Sequence, residues 1–151
     1  MFSERDIYWM EKAIQWGEHA AKVGEVPVGA ILVLEDQVVG EGHNQPIAKK
    51  DPTAHAEMMA LRDGAQKISN YRLLNTTLYV TLEPCTMCAG AMIHARIKRL
   101  VYGASDPKAG AVRSMANLLD QPFLNHQVAH SGGLLNHQCG LLLSQFFQAK
   151  R

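Results

Sequence analysis

A proline followed by two cysteines three residues apart, Pro84-Cys85-Thr86-Met87-Cys88, lies between an apolar run and a stretch of good helix formers. Few local patterns restrict a fold more. Leu78 to Leu82 reads as a short buried strand, and Ala89 to Ala95 as part of the helix that follows it. Both cysteines then fall in the first helical turn, where positions i and i+3 share a face. Two sulfurs placed that way can meet one ion at about 2.3 Å, the usual zinc–sulfur distance. Free N–H groups of that turn, with the helix dipole, favour thiolate over thiol. The same spacing also serves a redox pair, or two buried cysteines acting as small apolar groups. The motif alone leaves these readings open.

A second stretch upstream, Asp51-Pro52-Thr53-Ala54-His55-Ala56-Glu57, adds an imidazole and, two residues later, a carboxylate. Thr53 is the expected N-cap of a helix from His55 to about Lys67, with Met58, Leu61 and Ala65 facing inward. Residues two apart on a helix point about 200° apart, so His55 and Glu57 cannot share a metal beside the helix. They can share a site off its N-terminal end, with His55 as ligand and Glu57 reaching a water. Structural zinc takes four protein ligands and catalytic zinc keeps one position open. Here three donors cluster, His55, Cys85 and Cys88. The spare cysteine, Cys139, lies in the apolar pattern of the last helix and reads as core. An open zinc site that acidifies water, beside a carboxylate that accepts the released proton, suits hydrolytic attack on an electron-poor carbon bearing an amino group.

Composition bounds the rest. A chain of 151 residues supports one domain, taken as residues 1–151. With 47% hydrophobic and 19% charged residues it is globular. No apolar run approaches the ~20 residues of a membrane span, and the N-terminus carries no apolar signal core. A cytoplasmic location is expected. Three cysteines with one close pair do not make a disulfide framework. A formal net charge of +1 does not announce a nucleic-acid binder. Basic clusters at Lys49-Lys50, Arg96 to Arg99, Lys108 with Arg113, and Lys150-Arg151 are either a phosphate track or ordinary solvated surface.

In chain order, Ile7, Met10, Ile14, Gly17 and Ala21 predict a one-sided helix from Asp6 to about Val23, capped by Ser3 or Asp6. Ala30 to Leu34 is a nearly continuous apolar strand, joined through Glu35-Asp36 to Gln37–Gly42 as a hairpin. His43 to Pro52 reads as a polar loop. Asn44, where the strand gives out, is either a substrate-binding amide or a turn residue bonded to its own backbone. Leu100 to Ala104 is a further strand, Ser105 to Ser114 a loop able to reach over the site, and Gln127-Val128-Ala129 a short edge strand. Leu135, Cys139, Leu142, Leu143, Phe146 and Phe147 mark a last amphipathic helix. Trp9 and Trp16 read as core or interface filling. Strands alternating with helices predict an α/β fold with helices on both sides of the sheet.

His55-Ala56-Glu57 followed by Pro84-Cys85-Thr86-Met87-Cys88 resembles the H-x-E…P-C-x-x-C signature of the zinc deaminases. Glu25-Val26-Pro27-Val28-Gly29-Ala30, Asn70-Tyr71-Arg72-Leu73 and Leu82-Glu83-Pro84-Cys85 are similar to stretches of the bacterial tRNA-specific adenosine deaminases, and the resemblance runs from Tyr8-Trp9-Met10 to Phe146-Phe147. It implies a three-layer α/β/α sandwich with a central mixed five-stranded sheet, of the cytidine-deaminase type. It implies one zinc ion per subunit, a homodimer, and hydrolysis of the wobble adenosine in a tRNA anticodon arm to inosine. His55, Cys85 and Cys88 match the family's ligands, and Glu57 its proton carrier. Asn44, Val26, and the backbone around Ala56 and Pro84 match its base pocket. Asp106, Lys108, Phe146, Phe147, Lys150 and Arg151 correspond to its anticodon-loop contacts. The competing readings are a deaminase of a free base, nucleoside or nucleotide, such as guanine or deoxycytidylate, and a zinc module that binds RNA without catalysis. The last would need a fourth protein ligand.

Overall fold

A computed structural model of the chain describes residues 2–150. The elements in order are α1 (Glu4–Lys22), β1 (Gly29–Leu34), β2 (Gln37–His43), α2 (Pro46–Lys49), α3 (Ala56–Ile68), β3 (Thr77–Leu82), α4 (Thr86–Ala95), β4 (Arg99–Ala104), β5 (Ala129–Gly132) and α5 (Asn136–Ala149), with a 3-10 turn at Leu118–Asp120. The strands form one sheet in the order β2-β1-β3-β4-β5. β1 pairs antiparallel with β2 and β3, whereas β3–β4 and β4–β5 are parallel.

Period-two alternation decides the layers, because successive strand side chains point to opposite faces. Ala30, Leu32, Leu78, Val80 and Leu100 meet Ala56, Ala60, Leu61, Ala89 and Met92 of α3 and α4. Ile31, Val33, Tyr79 and Val101 face the other way, onto Trp9, Met10 and Ala13 of α1 and Cys139 of α5. The result is the expected α/β fold, a mixed five-stranded sheet with helices on both faces.

Pairing also decides what gathers at each end of the sheet. Gly29 at the start of β1 lies opposite His43 at the end of β2, and Leu82 at the end of β3 opposite Ala104 at the end of β4. Ala30 pairs with Val80. The segments around residues 26–28, 44–55, 83–85 and 105–114 therefore leave the sheet at one end. Glycines let α3 lie close to β2 there: a Cβ on Gly42 would stand 2.4 Å from the Ala56 carbonyl, and one on Gly40 2.3 Å from that of Ala60.

Four details differ from the sequence reading. The N-cap of α3 is His55, not Thr53; the Thr53 hydroxyl instead donates to Asp51 Oδ1 (2.7 Å) and accepts from Arg62 (3.2 Å). The polar segment after β2 contains the short helix α2, held by the Glu25 carboxylate, which accepts from Ile47 N (3.3 Å) and Ala48 N (2.8 Å). The edge strand is 129–132 rather than 127–129, with Val128 buried just before it. The buried face of α1 carries Trp9, Met10, Ala13, Gly17 and Ala20, while Ile7 is exposed.

A buried aspartate is why α1 is rotated this way. Ser3 caps the helix and Asp6 closes the capping box (Asp6 N to Ser3 Oγ 3.0 Å, Ser3 N to Asp6 Oδ2 3.0 Å). The same carboxylate accepts both Arg99 Nη atoms (2.9 and 3.0 Å) and the Tyr79 hydroxyl (2.7 Å). Asp6 thus ties α1 to β3 and β4, and turning Ile7 inward would pull it away. Burial alone would raise its pKa, but the bonds from Arg99, Tyr79 and Ser3 prevail and hold it at about 2, below the ordinary 3.8.

That depression amounts to about 2 kcal/mol of pH-dependent stability, fully present above pH ~4 and lost as pH falls through about 2. The gap in urea midpoint between the protein and Asp6→Asn is expected to be wide at pH 6 and to narrow from pH 4 downward. A gap that stays constant with pH would show that Asp6 is not the titrating group.

Candidate active site

Two helix starts carry the metal-binding donors. His55 is the N-cap of α3 and Cys85 the N-cap of α4, both with extended backbone (ψ 155 and 177) and neither making a side-chain cap hydrogen bond. Their side chains are therefore free to turn toward each other, while each helix aims its positive dipole end at the space between them. Cys88, three residues into α4, is fully buried and completes the group. Both cysteines thus occupy the expected turn.

His55 Nδ1 lies 3.6 Å from Cys85 Sγ and 3.5 Å from Cys88 Sγ, and all three donor atoms lie within 4.8 Å of one another. Sulfur at about 2.3 Å and nitrogen at about 2.0–2.1 Å from a tetrahedral zinc stand roughly 3.6 Å apart. One imidazole nitrogen has a single lone pair or a single proton, so it cannot bond fully to two sulfurs at once. A cation between the three can. The hydrogen bond from Cys88, then that from His55, draws the Cys85 thiol down to about 3. The bond to Cys85, then burial, pushes Cys88 up. His55 is raised, chiefly by its bond to Cys85. This soft S₂N set fits zinc and leaves one tetrahedral position without a protein donor.

No fourth ligand joins the group among the described residues. Cys139 packs against Gly103 on the α1/α5 side of the sheet, whereas Cys88 belongs to the α3/α4 side. The reading of Cys139 as core stands, and a closed, purely structural site is not formed. Glu57 follows His55 by two residues but lies outside the donor group, 4% exposed. Burial pushes its carboxyl up to about 7, against its own N–H and the nearby imidazole.

The remaining expected residues lie on the segments that leave this end of the sheet and on α5. Asn44 is not bonded to its own side-chain turn: its Oδ1 accepts the Ala56 N–H (2.9 Å), and its own N–H donates to Val28 O (3.1 Å). The Ala56 N–H is thereby engaged by Asn44. Pro84 is buried and its carbonyl accepts from Ala111 N (2.9 Å). Val26 and Asn44 line a cleft of about 360 Å³ with Ile47, Phe146, Phe147 and Lys150. Phe146 and Phe147 meet edge to face, and Lys150 Nζ stands 5.2 Å from the Phe146 ring. Asp106 and Lys108 lie on the loop after β4, Lys108 exposed and Asp106 Oδ1 accepting the Lys108 and Ala109 N–H groups (3.0 and 3.1 Å). Arg151 lies outside the described residues.

Sequence reasoning missed two buried glutamates. Glu25 holds α2, one wall of the cleft, and Glu83 holds the loop after β4. Each stands next to a segment singled out for other reasons, Val26-Pro27 and Pro84-Cys85. Nothing in a lone glutamate's neighbours distinguishes burial from exposure.

The comparisons agree with this centre. The sequence model of the cytidine and deoxycytidylate deaminase zinc-binding region matches residues 3–104. The chain is 53% identical over 150 residues to the tRNA-specific adenosine deaminase of Haemophilus influenzae, covering 99% of this chain and 87% of that protein. It is 40% identical to that of Bacillus subtilis, covering 97% and 91%. A structure from biochemical and structural studies of A-to-I editing by tRNA:A34 deaminases at the wobble position of transfer RNA superposes with a TM-score of 0.87 at 42% identity, covering 90% of this chain and 99% of that one. A guanine deaminase from Nitrosomonas europaea shares the fold, with a TM-score of 0.81 at 19% identity over 97% of this chain and 85% of that one.

Zinc content measured by atomic absorption should be one equivalent for the protein and for Cys139→Ser, and near zero for Cys85→Ser and His55→Ala. Full zinc in either ligand variant, or its loss from Cys139→Ser, would contradict the three-donor set.

Proposed function

The chain belongs to the tRNA-specific adenosine deaminases of the zinc-dependent cytidine and deoxycytidylate deaminase family, and from that membership we infer how its own residues convert the wobble adenosine of an anticodon to inosine. The observation that carries the reading is the convergence of His55 Nδ1 with two cysteine sulfurs beside a buried carboxylate, at the end of the sheet where a cleft holds Asn44 and two phenylalanines.

His55, Cys85 and Cys88 hold the ion. Zinc, when bound there, acidifies water at its open position and so supplies the nucleophile at neutral pH. Glu57 is the proton carrier. It accepts a proton from the attacking water and delivers it to ring N1 as oxygen bonds to C6; the remaining proton of that water then passes from the C6 hydroxyl through the same carboxylate to the amino group. The C6–N bond then breaks, ammonia leaves, and C6 keeps the oxygen as the inosine carbonyl. Burial keeps bulk water from replacing Glu57 in this exchange.

Asn44 orients the base. Its carbonyl oxygen is fixed by Ala56 N–H, which leaves its side-chain N–H₂ to donate toward an acceptor on the base edge. Val26 packs against the flat of the ring, and Pro84 and Ala56 bound the pocket. Phe146 and Phe147 offer stacking surface to flanking anticodon bases, while Lys108 and Lys150 reach phosphates. An adenosine splayed out of an anticodon loop fits this arrangement, because unstacking there is cheap and the neighbouring nucleotides have surfaces to meet.

We further propose that the protein acts as a homodimer in the cytoplasm. An apolar groove of about 350 Å³ between α3 and α4, lined by Met58, Leu61, Ala65, Leu73, Ala91 and Ala95, supports self-association. Sedimentation should give twice the mass of one chain, and Ala91→Glu half of that; a wild-type monomer at micromolar concentration would contradict the dimer. No helix among the described residues is long and apolar enough to cross a membrane.

An anticodon stem-loop with adenosine at the wobble position should be converted to inosine, while free adenosine, guanine and deoxycytidylate should not react. Glu57→Ala should keep its zinc and lose about 10³-fold in kcat. Turnover on a free base but not on the stem-loop would overturn the substrate. Near-normal kcat in Glu57→Ala would overturn the proton carrier. Lys108→Ala and Lys150→Ala should each weaken stem-loop binding most at low salt, flattening the slope of log affinity against log salt by about 0.7. An unchanged slope would mean that the residue touches no phosphate.

A further inference from the structure

The loop after β4 has little regular structure, yet one carboxylate immobilises it. Glu83, 2% exposed, receives five donors from this loop. Oε1 accepts Asp106 N (3.0 Å) and the Ser114 hydroxyl. Oε2 accepts Val112 N (3.2 Å), Arg113 N (2.8 Å) and Ser114 N (3.0 Å). The fit is close: a Cβ at Gly110 would stand 2.3–2.5 Å from the carboxylate atoms. The next residue, Pro84, accepts Ala111 N through its carbonyl, and the one after it is Cys85. So the segment that enters the metal centre is also the anchor of the loop.

What the loop presents is cationic. Lys108 and Arg113 are exposed, and neither pairs with a carboxylate among the described residues. Asp106, half-buried, turns the chain at the loop's start. Glu83 draws the backbone N–H groups on both flanks of the loop inward onto one point, while the side chains of Lys108 and Arg113 stay exposed. Phosphate binding by flexible lysine and arginine side chains gains when the backbone beneath them is already ordered.

We propose that Glu83 is a positioning residue for RNA: by gathering the 106–114 backbone onto its carboxylate, it fixes Lys108 and Arg113 in register with the reacting adenosine and couples RNA grip to the strand end that carries Cys85. This rests on the functional reading above. A residue in this role acts on substrate capture and leaves the metal and the proton carrier in place. Its loss raises KM rather than lowering kcat.

Steady-state kinetics on the anticodon stem-loop test this with Glu83→Gln, which keeps size but turns an amide donor toward N–H groups. The gentler variants are Ser114→Ala, which removes one donor, and Gly110→Ala, which presses on the carboxylate from the other side. Glu83→Gln should raise KM about tenfold, with kcat within threefold of wild type and one equivalent of zinc retained. Hydrogen exchange at the amides of Asp106 and Val112–Ser114 should accelerate in parallel. Gly110→Ala should raise KM likewise, and the double variant should add little to either single one, since both act on the same contact. If Glu83→Gln fails to fold, Ser114→Ala and Gly110→Ala carry the test, with smaller KM increases and the same amides exposed. An active wild type whose KM none of these changes raises overturns this proposal alone. So does a loss of kcat together with zinc at unchanged KM. A zinc-replete wild type that does not convert the stem-loop overturns the functional reading and this proposal with it.

Discussion

Three soft donors from two separate helix starts must meet at one point, and that requirement organises the sheet end around it. An N-cap residue has extended backbone and a side chain not yet committed to helix packing. Here both N-caps, His55 and Cys85, make no side-chain cap hydrogen bond and meet each other instead. The orphaned N–H of Ala56 is met instead by Asn44. Helix capping and base-pocket geometry thereby become one interaction. A residue expected to touch substrate also keeps the start of α3 in place.

The sheet makes that meeting possible. α3 stands over β1 and β2 beside α4, whose Cys88, Ala89 and Met92 share a core with Leu78, Val80 and Leu100. The ends of β2 and β3 that feed the two helices emerge at one end of the sheet because both strands run antiparallel to β1 between them. Glycines at Gly40 and Gly42 bring the α3 backbone to within contact of β2. On the opposite face, the Asp6–Arg99–Tyr79 cluster fixes α1 against the same central strands. Buried carboxylates thus recur as organisers. Asp6 joins layers, Glu25 shapes the cleft wall, Glu83 gathers a loop, and Glu57 is the one we propose exchanges protons.

Much of this was legible in the chain. The strand–Pro-Cys-x-x-Cys–helix order is as read, and His55 gathers with the two cysteines while Glu57, two residues on, stays outside the group. The hairpin through Glu35-Asp36 is also as read, with both residues at positive φ (50 and 61). What stayed hidden depends on partners distant in sequence. Asp6 looks like an ordinary first-turn acid until Arg99 and Tyr79 stand beside it, and for that reason the buried stripe of α1 includes Trp9 and Ala13 rather than Ile7. Glu83 resembles any glutamate before a proline, because the five donors it receives lie more than twenty residues away in the chain. Thr53 matches the usual cap chemistry better than His55, yet the Asp51 side chain claims its hydroxyl.

The central claim is that the chain closes only three donors around zinc, two sulfurs and one imidazole, and keeps the fourth position free for chemistry. X-ray absorption at the zinc edge of the metal-loaded protein reads this directly. The account predicts two sulfur scatterers at about 2.3 Å, one imidazole at about 2.0–2.1 Å, and one further light atom that is not from the protein. A shell of three sulfurs, or of four protein donors, would contradict it.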